Sequence, residues 1–309
     1  MTSGDSRHGV ALTNLDAPLF DGAGATKRDL VDYLEAVAGQ IIRVLAHRPL
    51  SVLRVLRGRP PFMQKNVAKY TPPWVRTVGV WAEASRRTVS YALCNDLPTL
   101  IWLANQRAVE YHPTLVRAGE WDRPTQLVLD LDPPEGGGFQ ALADAGLVGA
   151  VKTSGAKGAH VYVPLTAGTT GEEAAAATRA IAVRAERLDP GLATTAYVRE
   201  DREGKVFLDS TRSGGATVVA AYSPRIRPGT PVSFPVAWEE LDRVVPADFT
   251  VRSAAGLIGA ADPWAQLMPE PQQLGADLID EGRSIPIARV QAMHEGKRRA
   301  RARRDLGET

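Results

Sequence analysis

The stretch Gln126-Leu127-Val128-Leu129-Asp130-Leu131-Asp132 predicts a hydrophobic strand that ends in two aspartates. Side chains alternate between the two faces of a strand, so Asp130 and Asp132 share one face and the leucines the other. Two like charges about 7 Å apart along a strand repel each other. A divalent cation is the simplest group to relieve this repulsion, because hard cations take carboxylate oxygens as ligands.

A third carboxylate, Asp209, ends a second apolar strand, Val206-Phe207-Leu208-Asp209. Three carboxylates at strand ends could hold two divalent ions, the usual arrangement for in-line attack on a phosphate. One ion then activates the attacking oxygen and the other stabilises the leaving group. The alternative is a set of solvated carboxylates, because Asp-x-Asp alone is a common pattern.

The bulk composition limits the class of protein. The chain has 309 residues, 44% of them hydrophobic, with 37 basic and 35 acidic residues and a net charge of +2. Any site for a polyanion must therefore come from local clustering of charge. The single cysteine, Cys94, excludes a disulfide within the chain and fits a reducing cytosol. We see no apolar signal core and no run of about 18 apolar residues, so we expect no membrane span.

The order of predicted elements indicates an α+β fold with a single large domain over residues 12–290. We expect a loose leader over residues 1–11 and a basic tail over residues 291–309, in which six of the eight residues 297–304 are basic. Helices are predicted to begin at Thr26, near Asp96 and at Thr170. The first of these should run to Leu45, the second should end before His112, and residues 216–221 are a strand candidate.

A second set of residues has the composition of a polyphosphate site. In Lys152-Thr153-Ser154-Gly155-Ala156-Lys157-Gly158-Ala159-His160, small residues let backbone amides approach an anion. Ser154 would add a hydroxyl, Lys157 a charge and His160 an imidazole. The Walker spacing is missing, and a surface hairpin with a stray lysine is the alternative. Arg225 and Arg202 are further phosphate ligand candidates, because arginine binds phosphate oxygens bidentately, whereas Arg227 is expected to be solvated.

Taken together, these motifs resemble one known family. Leu-Asp-Leu-Asp-Pro-Pro from residue 129, Thr-Ser-Gly-x-Lys-Gly-x-His from residue 153, Phe-Leu-Asp from residue 207 and Tyr-Ser-x-Arg-x-Arg-Pro-Gly from residue 222 occur in one order. So do Phe62-Met63-Gln64-Lys65-Asn66 and Glu110-Tyr111-His112-Pro113. This combination resembles the polymerase domain of bacterial DNA ligase D, of the archaeo-eukaryotic primase superfamily. The likeness covers residues 12–264.

The resemblance implies a primase-polymerase-like fold, with a central, mostly antiparallel sheet flanked by helices, an N-terminal DNA-contacting module and a C-terminal catalytic sheet. It implies a nucleotidyltransferase that uses two Mn²⁺ or Mg²⁺ ions and an NTP or dNTP, and that extends a primer 3′-hydroxyl in gap filling or end joining. Asp130, Asp132 and Asp209 match the metal-binding acids. Ser154, Lys157 and His160 match the triphosphate motif, with Arg225 as an additional ligand, and His112 matches an active-site histidine.

The resemblance also implies partners and a location. We expect a monomer in the cytoplasm, associated with the nucleoid, that binds a DNA primer-template with gapped or broken ends and meets end-joining repair proteins. Lys27, Phe62 and Lys65 are the predicted DNA contacts. The family uses two lysines to hold a DNA 5′-phosphate; Lys27 keeps one position, but residues 15–18 supply no second lysine.

Two other classes of function are compatible with parts of the pattern. A phosphatase or a glycosyltransferase can also begin its site with Asp-x-Asp, although Pro134 stands where the phosphatase pattern has Thr or Val. A non-catalytic module that binds DNA ends could use the basic residues 57–65 and the tail. Such a module would bind in a salt-sensitive manner without any dependence on manganese.

Overall fold

Two β-sheets with helices packed around them form the molecule. A computed structural model describes residues 5–82, 85–132, 144–241, 243–259, 262–287 and 293, with Asp132, Gly214 and Pro246 described by their backbone only. The predicted α+β class and the mostly antiparallel sheet are confirmed. Within the described ranges, we find no helix with the length and apolar character that crossing a bilayer requires.

The first sheet is built from the N-terminal part of the chain and is antiparallel throughout. Its strand order is β4-β3-β6-β5, and β7 also pairs with β3. A separate ribbon of β1 and β2 precedes it. The strands are β1 Ser6–Arg7, β2 Val10–Ala11, β3 Leu50–Arg54, β4 Phe62–Gln64, β5 Thr77–Ala82, β6 Arg87–Ala92 and β7 Ala108–Pro113.

The second sheet contains the strand with which the sequence analysis began. Its order is β11-β12-β8-β10-β9-β13, so β8 is central, and all pairings except the parallel β11 and β12 are antiparallel. The strands are β8 Gln126–Asp132, β9 Ala150–Thr153, β10 Ala159–Pro164, β11 Ala193–Thr194, β12 Val206–Asp209 and β13 Pro235–Val236. The leucines of β8 are buried in the core, which holds the strand in place.

The predicted helix starts are confirmed by their caps. The side chains of Thr26 and Thr170 each accept from the backbone amide three residues on, within a capping box, and Asp96 accepts from the amide of Thr99 without one. The helices are α1 Lys27–Ala36, α2 Ala38–Leu45, α3 Leu97–Asn105, α4 Gly171–Leu188, α5 Ala254–Leu257, α6 Pro263–Leu267 and α7 Ala276–Ser284. Short 3₁₀ turns occur at Arg199–Arg202, Arg212–Gly214, Trp238–Glu240 and Pro246–Asp248.

The longest helix, α4, is closely packed against α7. A Cβ atom on Gly282 would lie 1.8 Å from the carbonyl oxygen of Ala176, so only glycine allows this approach. Ala174, Ala177 and Ala180 on α4 are fully buried, which explains the alanine-rich composition of this helix. Small side chains allow two packed helices to lie close together.

Four sequence expectations differ from the structure. Residues 6–11, expected to be loose, form the β1–β2 ribbon, and Arg7 contacts Asp32 and Glu35 on α1. The helix predicted to reach Leu45 is interrupted at Val37, although its buried apolar stripe continues through both parts. The helix predicted to extend toward His112 ends at Asn105, and β7 follows it. Residues 216–221 form only an isolated bridge, between Thr217 and Thr114.

Candidate active site

The pairing of three neighbouring strands brings Asp130, Asp209 and His160 side by side. Asp130 lies on the central strand β8, directly opposite Asp209 of β12 on one side and His160 of β10 on the other. Directly opposite residues on paired strands have Cβ atoms about 4.5–5.5 Å apart and point to the same face. The structure thus brings together two of the three predicted metal-binding acids. The side chain of Asp132 lies outside the described part of the chain; its backbone pairs with Phe207.

A buried lysine supports the imidazole of His160. Nε2 of His160 lies 3.2 Å from Oδ1 of Asp130, and its Nδ1 lies 2.8 Å from Nζ of Lys152, which donates to Ser233 at 2.6 Å. Lys152 and Ser233 are fully buried. Since an ionised carboxylate only accepts hydrogen bonds, a neutral His160 paired with Asp130 carries its proton on Nε2, and its Nδ1 accepts from Lys152. This network fixes both the ring orientation and the tautomer of His160.

Burial controls the charge state of this network. Burial, followed by the charge of Lys152, lowers the pKa of His160 to about 4, against the opposing effect of Asp130. Burial also lowers the pKa of Lys152 well below its usual value. Burial acts to raise the pKa of Asp130. The charge and hydrogen bond of His160, together with the charges of Arg212 and Lys152, outweigh burial and lower that pKa overall. At neutral pH the site therefore presents an ionised Asp130 beside a neutral His160.

Arg212 is a site residue that sequence reasoning missed. Its Nε lies 3.1 Å from Oδ2 of Asp130 and 3.1 Å from Oδ2 of Asp209, and its Nη2 lies 3.1 Å from Oδ2 of Asp130. The 3₁₀ turn that follows β12 places it there, while Asp209 accepts from the backbone amide and hydroxyl of Thr211. Asp130 and Asp209 therefore converge on one positively charged group.

The donor set at this position fits a hard divalent cation. Two carboxylates from adjacent strands already attract a cation, and carboxylate oxygens are the ligands that Mn²⁺ and Mg²⁺ prefer. Among the described side chains, which exclude that of Asp132, no group of three His, Cys, Asp or Glu residues is arranged to hold a metal ion.

The turn between β9 and β10 is built from the predicted phosphate-binding residues. The hydroxyl of Ser154 accepts from the backbone amides of Ala156 at 3.2 Å and Gly158 at 3.1 Å. Gly155 has φ +65°, and a Cβ atom there would lie 2.6 Å from Cγ of Arg225, so glycine is required for two reasons. The turn is therefore rigid, and Lys157 at its tip is exposed.

This turn forms one wall of a cavity of about 810 Å³ that opens beside Asp130 and His160. Four basic side chains line it: Lys157, Arg199, Arg225 and Arg227. Lys157 makes no ion pair with any described residue, so its charge is available to a ligand. Arg227, which we expected to be an ordinary solvated arginine, is both exposed and part of the lining. A cavity lined by this many basic side chains, with the Asp130 carboxylate at its wall, suits a polyanion.

Arg199, and not the predicted phosphate ligand Arg202, lines the cavity. The guanidinium of Arg202 stacks on Phe207, 3.7 Å from the ring centroid, and donates to the carbonyl oxygens of Ala196 and Tyr197. Arg202 is absent from the cavity lining. Both arginines lie in the same short 3₁₀ turn, so local sequence gave no signal to choose between them.

His112 lies on β7 of the first sheet and does not line this cavity. Its Nε2 lies 2.9 Å from Oε2 of Glu110, whose Oε1 accepts from the backbone amide of Ile226 at 2.8 Å. Burial raises the pKa of Glu110, but the hydrogen bond from His112 and the charge of Arg225 outweigh it and lower the pKa to about 2. Burial lowers the pKa of His112 overall, although the hydrogen bond and the charge of Glu110 act to raise it. A buried carboxylate thus holds the predicted active-site histidine.

The three predicted DNA contacts occupy different environments. Lys27 is 2% exposed, and its Nζ donates to the carbonyl oxygen of Thr13 and to Oδ1 of Asn105. Burial, with the charge of Arg107, lowers the pKa of Lys27 to about 8. This geometry turns Lys27 toward the interior, so it does not support a DNA contact. Phe62 begins the edge strand β4 and is 37% exposed. Lys65 directly follows this strand and is also exposed to solvent.

Comparison with known proteins gives one consistent family. A family model described as LigD, primase-polymerase domain, matches residues 26–264. A solved structure described as "Polymerase Domain from Mycobacterium tuberculosis Ligase D in complex with DNA" is similar with a TM-score of 0.75 and 32% identity. The similarity covers 85% of this chain and 99% of that chain.

Two relatives show how the matched region relates to larger proteins. The "Multifunctional non-homologous end joining DNA repair protein LigD" of Mycobacterium tuberculosis (strain ATCC 25618 / H37Rv) is 36% identical over 259 residues, which cover 77% of this chain and 34% of the relative. The "Bifunctional non-homologous end joining protein LigD" of Bacillus subtilis (strain 168) is 31% identical over 258 residues, 78% of this chain and 41% of the relative. The chain thus spans about a third of the first relative's length.

Proposed function

We propose, from the premise that this chain belongs to the LigD primase-polymerase domain family, that it is a template-directed nucleotidyltransferase. It would add nucleotides to a primer 3′-hydroxyl during repair of broken or gapped DNA. The similar structure is a polymerase domain in complex with DNA, and the relatives are named as non-homologous end joining proteins, which supports this reaction class and this setting.

One observation carries the proposal: Asp130, which lines a basic cavity, lies directly opposite Asp209 on the neighbouring strand. Nucleotidyl transfer needs a group that stabilises charge at the α-phosphate and a cradle for the departing pyrophosphate. The carboxylate pair supplies the first requirement as a site for divalent cations. The lining arginines and Lys157 supply the second, because they face the position that a triphosphate beside Asp130 would occupy.

The reaction forms a bond between the primer 3′-oxygen and the α-phosphorus of the incoming nucleotide and breaks the bond to the β-phosphate oxygen. Pyrophosphate leaves, and the hydroxyl proton passes to solvent or to a nearby base. Asp130, Asp132 and Asp209 would hold Mn²⁺ or Mg²⁺, which supplies Lewis-acid stabilisation of the reacting oxygens. Lys157, Arg199 and Arg225 would neutralise the triphosphate. His160, held by Lys152, keeps the Asp130 carboxylate oriented by its hydrogen bond.

The first sheet would receive the DNA. Phe62 is exposed on β4 and can stack on a base, while Lys65 and its basic neighbours face solvent. Because Lys27 is buried and residues 15–18 contain no lysine, the pair of lysines that the family uses for a 5′-phosphate is not reproduced on this surface. We therefore propose extension of primer ends, with gap recognition that depends less on a 5′-phosphate.

The test is primer extension by the purified chain on gapped, 3′-overhang and unprimed templates, with NTPs or dNTPs and with Mn²⁺, Mg²⁺ or chelator. We expect template-directed addition that requires a divalent cation, and comparable rates on gaps with and without a 5′-phosphate. Salt-sensitive DNA binding without extension under any condition would favour a non-catalytic DNA-end module. Release of phosphate from small esters, or sugar transfer without a primer, would favour the other Asp-x-Asp enzymes.

A further inference from the structure

Glu110 is a buried carboxylate that reaches from one sheet to the functional site of the other. It lies on β7 of the first sheet, is 4% exposed and does not line the phosphate cavity. Its carboxylate contacts three groups: Nε2 of His112 at 2.9 Å, Nε of Arg225 at 3.1 Å and the backbone amide of Ile226 at 2.8 Å. A buried carboxylate is costly to desolvate, so this set of partners is what makes its position stable.

Arg225 continues this connection into the cavity. Its Nη1 donates to the carbonyl oxygen of Ser154, and its Cγ packs against Gly155 so closely that a Cβ atom there would lie at 2.6 Å. Its Nε is buried and makes no aligned hydrogen bond, so the ion pair with Glu110 is the interaction that offsets the cost of burying this nitrogen. Glu110 therefore determines where the guanidinium of Arg225 stands relative to the Ser154–Gly158 turn.

We propose that Glu110 is a positioning residue for the incoming triphosphate, acting through Arg225 and His112. A guanidinium binds phosphate well only in a fixed orientation, because its planar fork must match two oxygens. Glu110 approaches Arg225 through Nε and the carbonyl oxygen of Ser154 accepts from Nη1, so Nη2 and the second hydrogen of Nη1 remain for a ligand. A carboxylate lining the cavity would repel an anion, whereas one behind the arginine orients it without that penalty. This inference rests on the proposed function, because it assigns the cavity to a triphosphate.

The test compares Glu110→Gln with Glu281→Gln, a matched loss of a carboxylate in an ion pair remote from the cavity. Glu281 on α7 pairs with Arg184 at 2.7 Å and Arg187 at 3.3 Å. For each variant we would measure KM and kcat for nucleotide addition, and the Kd of a nucleoside triphosphate with a non-hydrolysable α–β linkage. Thermal unfolding reports the general loss of stability.

Glu110→Gln should raise KM and Kd about tenfold and change kcat by less than about threefold, because a charge-assisted contact is lost. Glu281→Gln should leave both constants unchanged. If Glu110 only joins the two sheets, Glu110→Gln would lower the melting temperature while KM and Kd stay at the wild-type values, and the inference would be wrong.

A double-mutant cycle with Arg225→Lys tests whether Glu110 acts on the triphosphate through Arg225. Lysine keeps the charge but loses the fork, so Glu110→Gln should add less than about twofold to the Kd in that background. Full additivity would exclude action through Arg225. If Glu110→Gln does not fold, Glu110→Asp replaces it: a rise of Kd is expected because the shorter side chain draws back from Nε, and an unchanged Kd contradicts the inference.

The outcomes separate this inference from the proposed function. Primer extension by the wild type, with an unaltered triphosphate Kd in the Glu110 variant, overturns the inference alone. Absence of extension on every template, with triphosphate binding that Glu110→Gln weakens, overturns the proposed function and supports the inference. A wild-type chain that binds no triphosphate overturns the inference.

Discussion

The buried site of the second sheet and the exposed surface of the first sheet use charge in opposite ways. On the second sheet, Asp130, Asp209, His160 and Lys152 are buried or nearly so, and each has a fixed partner. On the first sheet, residues 51–95 contain eight Lys or Arg residues and one acidic residue, in a chain with a net charge of only +2. Seven of these basic side chains, all but Arg54, are exposed and form no ion pair with any described residue.

This difference corresponds to two kinds of recognition. A site for one small ligand needs few groups in a fixed geometry, so each group matters greatly. A surface for a nucleic acid backbone acts through charge density and counterion release, so each group contributes a small, salt-dependent part. Single substitutions in the buried site of the second sheet should therefore have large effects on chemistry, and those at the exposed basic residues of the first sheet small effects on DNA affinity.

The largest effect is expected from Asp130→Ala. Removing the central carboxylate should lower kcat for nucleotide addition about 10³-fold, because the proposed cation site would lose the carboxylate that lies between Asp209 and His160. DNA affinity should change by less than about twofold. Primer extension and a DNA-binding titration measure the two quantities, with Asp277→Ala on α7 as a control for loss of an exposed carboxylate. Primer extension by Asp130→Ala at the wild-type rate would refute the assignment of Asp130 to the catalytic site.

A smaller effect is expected from Lys157→Ala at the tip of the phosphate turn. Its charge lines the cavity without a described partner, so its loss should raise the nucleotide KM about tenfold and leave kcat nearly unchanged. Lys205→Ala, which removes a lysine paired with Glu203, is the control. If KM is the same in Lys157→Ala and the wild type, Lys157 does not contact the triphosphate.

On the first sheet, Phe62→Ala should weaken binding of single-stranded template about fivefold, the effect of losing about 1 kcal/mol of base stacking. At saturating DNA the nucleotide KM should not change, which separates this surface from the cavity. Leu257→Ala removes an apolar side chain that is 55% exposed elsewhere and serves as the control. Equal losses of template affinity in both variants would remove Phe62 from the DNA surface.

The smallest effect is expected from Lys65→Ala. One phosphate contact among many should lower DNA affinity about twofold at moderate salt and reduce the slope of log K against log salt by about 0.7–0.9. A salt titration of DNA binding by fluorescence anisotropy measures that slope, with Lys205→Ala as the control. A slope identical to the wild type would mean that Lys65 faces no phosphate in the complex.

Local signals predicted much of the fold. The caps at Thr26, Asp96 and Thr170 were recognisable because a capping side chain bonds to the backbone only three residues away. The alternation in β8 assigned Asp130 to a face opposite the core leucines for the same reason: a strand's period is a property of consecutive residues. Strand β7 was missed because only Gln106 and Arg107 separate Ala108–Pro113 from α3, and neither is the glycine or proline that usually marks a turn.

The candidate site was only partly predictable. The turn at Ser154–Gly158 and the acid at Asp209 carry recognisable local patterns, and the family resemblance joined them. Arg212 gave no local signal, since an arginine after a strand is usually solvated. Nor did the sequence show that Arg199 would line the cavity while Arg202 stacks on Phe207, because both lie in one turn and differ only in the direction of the side chain.

The sequence by itself determined many of the helices and strands, the three helix caps and the face of β8 that carries Asp130, because these depend on neighbours within a few residues. Only the tertiary structure decided that Asp209 lies opposite Asp130, that Lys27 turns inward and that Glu110 meets Arg225. These contacts join residues far apart in the chain. Their register is set by which faces the two sheets bury together, and no local periodicity encodes that choice.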